Sequence, residues 1–169
     1  MGQILYGAQL VQPTQNGVNM RYDYLGADSE VFAVGDVVTV NGDSAGQLAV
    51  IDAATEAVAG VAAKVATMPA TNDATYEPFI PAELDQVWLM GTNSDLTDNE
   101  TDGGTFYGLT GSTGAMQVNV SGGVTTTTSR QVMIVKVDPF GIGGSGSGSG
   151  LRQVYVKFVR ITQFAGAFN

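Results

Sequence analysis

Short apolar runs rich in β-branched residues recur roughly every 8–15 residues along this chain, and they stop at glycine, asparagine, aspartate or proline. Each run is long enough for a strand and too short for a helix that stands alone. The sharpest is Val31-Phe32-Ala33-Val34-Gly35-Asp36-Val37-Val38-Thr39-Val40, which ends at the hairpin signal Asn41-Gly42-Asp43. Val87-Trp88-Leu89-Met90 reads as a short buried strand, and Thr105 to Leu109 as another. Met116, Val118 and Val120 alternate with Gln117 and Asn119, the period of a half-buried strand. Gln131 to Val137 follows, and the last strand alternates Val154, Val156 and Phe158 with Tyr155, Lys157 and Val159 on its way to Phe164. The spacing predicts an all-β chain: an antiparallel β-barrel or sandwich of short strands, preceded by an extended N-terminal arm.

Segments 1–27, 28–164 and 165–169 read as arm, β-barrel or sandwich domain, and C-terminal tail. The arm is broken by Pro13, Asn16 and Gly17, and carries the patches Ile4-Leu5-Tyr6 and Tyr22-Asp23-Tyr24. It either reaches a neighbouring subunit or forms an edge strand of its own sheet. Asp52 to Lys64 has the alanine content of a helix capped by Asp52, but Gly60 and the valines favour strand-turn-strand. Pro69, Pro78 and Pro81 mark residues 69–84 as a connecting loop, and the Gly/Ser run at 141–150 as a flexible one. In the tail, Phe168 is placed to fill a partner's pocket.

Composition excludes several functions. There is no histidine and no cysteine, so Ser-His and Cys-His nucleophiles, ordinary zinc sites and disulfides are all ruled out. The formal charge is −9, which repels nucleic acid and anionic membranes alike. No apolar run reaches membrane-spanning length, and the first ten residues do not form a signal peptide. Charge is also uneven. Every charged residue between Lys64 and Arg130 is acidic, whereas Arg152, Lys157 and Arg160 follow Asp138 with no further acid. A chain built this way can pair head to tail with its own copies.

The remaining motifs carry little chemistry. Gly141-x-Gly143-x-x-Gly146 has dinucleotide spacing, but no helix N-terminus follows to hold a pyrophosphate. Glu77, Glu83 and Asp85 lie near one another in a proline-rich loop and read as solubilising charges rather than an acid/base pair. Asp98, Glu100 and Asp102 alternate before Gly103 like the start of a calcium loop, but Leu109 stands where the closing glutamate belongs. They are weak metal candidates, and the expectation is an acidic turn. No catalytic residue and no cofactor is assigned.

Phe32-Ala33-Val34-Gly35-Asp36-Val37-Val38, leading on to Ala59-Gly60-Val61-Ala62, resembles the barrel pattern of small head decoration (cement) proteins of tailed bacteriophages. Gly104-Thr105-Phe106-Tyr107-Gly108-Leu109 and the stretch Val132 to Pro139 resemble the second half of β-rich phage virion proteins. The resemblance implies a structural, non-enzymatic protein on the capsid exterior, assembled in the host cytoplasm. It also implies binding to coat protein, a trimeric state, and bridging by the N-terminal arm.

The partner-binding residues expected on this reading are Ile4, Leu5, Tyr6, Tyr22 and Tyr24, with Arg152 and Lys157 pairing to acids on a neighbour. The partners are capsid coat protein or copies of the chain itself. A tail, fibre or surface-filament subunit is the alternative. A carbohydrate- or cation-binding β module, stacking sugars on Trp88 or the tyrosines, is a third reading, although the run around Trp88 points to the core.

Overall fold

The structure, a computed structural model, describes residues 7–13, 24–41, 47–52, 55–70, 75–76, 79–94, 96, 104–121, 129–138 and 152–162. The elements found there are strands. After β1 (Gln9–Gln12), the first half holds β2 (Tyr24–Leu25), β3 (Val31–Phe32), β4 (Val37–Asn41), β5 (Gln47–Val50), β6 (Gly60–Ala62), β7 (Ala66–Thr67), β8 (Thr75–Tyr76) and β9 (Phe79–Pro81). The second half holds β10 (Val87–Gly91), β11 (Phe106–Thr110), β12 (Gln117–Asn119), β13 (Val132–Val137) and β14 (Gln153–Phe158). All strand pairings are antiparallel, as the sequence rhythm predicts.

Each half arranges its strands around an apolar core. In the second, with the sheet order β1-β10-β14-β13-β11-β12, the strands from β10 to β12 close into a ring, because Thr92, just after β10, forms a parallel bridge with Val118 of β12, and β1 is left at the edge. Asn93 fastens this closure. Its amide N donates to the Val118 carbonyl at 3.0 Å, and its side-chain oxygen accepts from Val120 N at 2.9 Å. In the first half, the sheet β5-β4-β6-β9 and the separate pairs β2-β8 and β3-β7 ring one core without an unbroken ladder, and Gly26, next to β2, bridges to Leu48 of β5.

The two rings share apolar material. Val38, Leu48, Ala59, Ala62 and Phe79 form a core with Phe32 and Met68 inside the first ring. Val37, Val61, Ile51 and Val58 point the other way and join Trp88, Met90, Tyr107, Ile134, Val154, Val156 and Phe158 of the second. Both faces of β4 and β6 are therefore buried, and so they read as continuous apolar runs rather than clean alternation. Burying each large aliphatic side chain contributes about 1.5–3 kcal/mol. Trp88 and Phe158 meet with ring centroids 5.5 Å apart and planes tilted by 47°.

Four sequence expectations are corrected. The Val31-to-Val40 run is two strands rather than one, because Gly35 turns with φ of 92° and the Asp36 carboxylate accepts from Ala33 N at 2.8 Å. Asn41 lies inside β4 and pairs with Gln47, so a longer connection replaces the two-residue turn. The proline-rich stretch contains β8 and β9, with Pro81 at the end of β9, where a missing amide costs least. β14 ends at Phe158 rather than reaching Phe164, because the chain crosses to the first half. There Val58 N donates to the Arg160 carbonyl, and Ile161 bridges to Val58. Residues 141–150 and 165–169 lie outside the described residues.

Candidate functional site

Three features stand out: a polar joint between the rings, an edge strand, and the outward face of the six-stranded sheet. The joint is built around Asp36, which is fully buried. Its Oδ2 accepts from Ala33 N and its Oδ1 from Gly114 N, both at 2.8 Å. Thr113 Oγ1 donates to the Val31 carbonyl at 3.1 Å, Gly7 N to the Met116 carbonyl at 2.9 Å, and Ala8 N to the Gly35 carbonyl at 2.7 Å. Burial raises the Asp36 carboxyl above its ordinary value, and the two amides oppose that shift. On the far side of the joint, the buried Gln131 side chain donates to the Glu56 carbonyl at 2.9 Å and accepts from Leu109 N at 2.8 Å. These groups satisfy one another and lock the two halves together.

β1 is the edge. It pairs with β10 on one side, with a register shift between Leu10 and Gln12, and no described strand pairs with its other side. Leu10 turns into the core while Val11 is half exposed. Residues 7–13 carry no charge, so the edge lacks the lysines that commonly discourage pairing.

The outward face follows from strand parity. On β14, Val154, Val156 and Phe158 are fully buried, which turns Gln153, Tyr155 and Lys157 outward. Register carries the pattern across the sheet. Tyr155 lies between Leu89 and Lys136, and Met133 lies between Lys157 and Phe106. Lys136 Nζ sits 5.4 Å from the Tyr155 ring centroid, and Arg130 Cζ sits 4.9 Å from that of Phe106. No carboxylate occurs anywhere in β10, β11, β13 or β14. In an acidic chain, this surface is cationic and aromatic.

The sequence candidates fall unevenly on this frame. Lys157 lies on the outward face. Arg152 precedes the strand on the inward parity, with its Nε buried and without a hydrogen-bond partner among the described residues. Five strand steps of about 3.3 Å separate the two, so they do not form one site. Tyr24 pairs through its backbone with Tyr76 in the first ring. Ile4, Leu5, Tyr6 and Tyr22 lie outside the described residues, as do Asp98, Glu100 and Asp102. Trp88 is fully buried and offers no stacking surface. The sequence reading missed Lys136, Tyr155, Phe106 and Arg130. The alternation Gln153, Tyr155, Lys157 signalled part of this face, but only sheet register brings β13 and β11 beside it.

No family model matches the chain, and neither the curated proteins nor the solved structures contain a match to it.

Proposed function

We propose that this chain is a non-enzymatic structural protein of a virus particle, which binds the outer capsid surface and stabilises contacts between coat subunits. One observation carries the reading: the edge strand β1 presents an uncharged side that no other described strand pairs with, and Val11 is half exposed, on a frame of two mutually locked rings. Such an edge can add an extended coat-protein segment by main-chain hydrogen bonds, with Val11 as an apolar anchor. In the sequence, the apolar run Ile4-Leu5-Tyr6 stands just ahead of this strand. Binding energy comes from apolar area buried across subunit joints, at about 25 cal/mol per Å2.

The test is co-sedimentation of the purified chain with undecorated capsid shells of tailed phages. Saturable binding is expected, weakened by Val11→Lys and by removal of residues 1–6. Leu84→Lys, a change at another exposed apolar position, leaves it intact. Removal of residues 1–27 is a poor test, because it also strips Leu10 from the core. Absence of binding to every shell overturns the reading.

A further inference from the structure

We propose that the outward face of β10, β14, β13 and β11 docks onto the acidic first ring of a second copy of this chain, head to tail. The argument is charge complementarity built into one molecule, and it stands apart from the capsid reading. Among the described residues of the first ring the acids are Asp28, Glu30, Asp36, Asp52 and Glu56, against the single cation Lys64. Asp36 is buried in the joint, but the others lie half-buried or exposed. Three of them gather where β5 ends. Glu30 Oε1 accepts from Val50 N at 3.4 Å, Glu56 Oε2 accepts from Asp52 N at 3.0 Å, and the charge of Asp52 is felt at Glu30.

The opposing surface combines two kinds of contact. Lys136 and Lys157 project from adjacent strands, with Tyr155, Met133, Phe106 and Leu89 supplying apolar area around them. An interface needs an apolar centre to hold and charge to steer and fix register. This face offers both, and the acid cluster supplies the matching charge. Because the two surfaces differ, the contact is heterologous. Successive copies close into a ring when the rotation between them allows it, and otherwise extend into a filament. A polyanion would also meet the lysines, but the net charge of −9 repels it, whereas the second copy brings its acids in a defined patch.

The experiment uses the intact chain alone, without shells, so its outcome is independent of capsid binding. Light scattering across a concentration series at low salt is expected to show association, reversed as salt is raised. The variant pair Lys136→Glu and Lys157→Glu, made together, is expected to remain monomeric. So is the pair Asp28→Lys and Asp52→Lys. Mixing the two double variants restores association, since each supplies the face the other has lost. Trp88 emission shows that both variants remain folded. A wild-type chain that stays monomeric at every concentration and salt overturns the proposal. So does association that survives either double variant, or a mixture that fails to associate.

Discussion

The backbone amide of Gly114 donates a 2.8 Å hydrogen bond to Asp36 Oδ1, joining residues 78 positions apart across the contact between the two rings. The other carboxylate oxygen holds the turn from β3 to β4 through Ala33 N. One buried side chain thus sets a local turn and a long-range contact together. Asp36→Ala leaves both amides without their acceptor and is expected to cost about 2–3 kcal/mol in denaturant unfolding. Asp36→Asn keeps the shape and one acceptor, and is expected to cost less. Equal loss in the two variants would show that the hydrogen bonds do not matter.

Stability should also carry a carboxylate signature in pH. Burial, more than the charges of Asp52 and Asp36, raises the Glu30 carboxyl above its ordinary 4.5, while the Val50 amide opposes the shift. The folded chain therefore holds this proton more tightly than the unfolded chain. The resulting stability is fully present below the ordinary value and is lost as pH rises through the raised folded value. Glu30→Gln removes this titration and keeps an acceptor for Val50 N. Wild type minus variant, measured as midpoint of unfolding, is expected to fall as pH rises above the ordinary 4.5. A difference that grows with pH contradicts the assignment.

Gly60 lies where β6 runs against β9. A Cβ there would be driven into the Ile80 carbonyl oxygen and would lie 2.8 Å from Phe79 Cδ2. Because a paired backbone cannot step aside, Gly60→Ala is expected to destabilise by about 1–3 kcal/mol, read from chemical denaturation. Unchanged stability would mean that β6 and β9 are farther apart.

The single tryptophan reports on the second ring. Trp88 is fully buried against Phe158, so native emission is expected to be blue-shifted and to move red in one step on unfolding. Trp88→Ala is expected to cost about 3–5 kcal/mol. Emission already red-shifted under native conditions would place Trp88 at the surface.

Gln131 offers a second check on the joint. Gln131→Leu preserves volume but leaves Leu109 N and the Glu56 carbonyl without their partner, so a loss of about 2–3 kcal/mol is expected in denaturant titration. A neutral outcome would mean that water replaces the amide.

The class of fold and many of its strands were legible in the spacing of apolar residues. Period-2 alternation marked Met116, Val118 and Val120, and then Val154, Val156 and Phe158, as core positions, because alternate side chains of a strand face opposite sides. Which strands become neighbours emerged only from long-range packing. Local spacing contains no term for a bridge such as Thr92 to Val118, or Gly26 to Leu48, so the closure of the second ring and the gathering of the first were not legible. Nor was the break at Gly35, since an apolar run buried on both faces looks continuous whether or not it turns. The outward face shows the same division. Tyr155 and Lys157 could be turned to one side by counting along β14, but Lys136 and Phe106 join them only through antiparallel register. Register is fixed by the packing of Trp88, Ile134 and Val156 on the opposite side of the sheet.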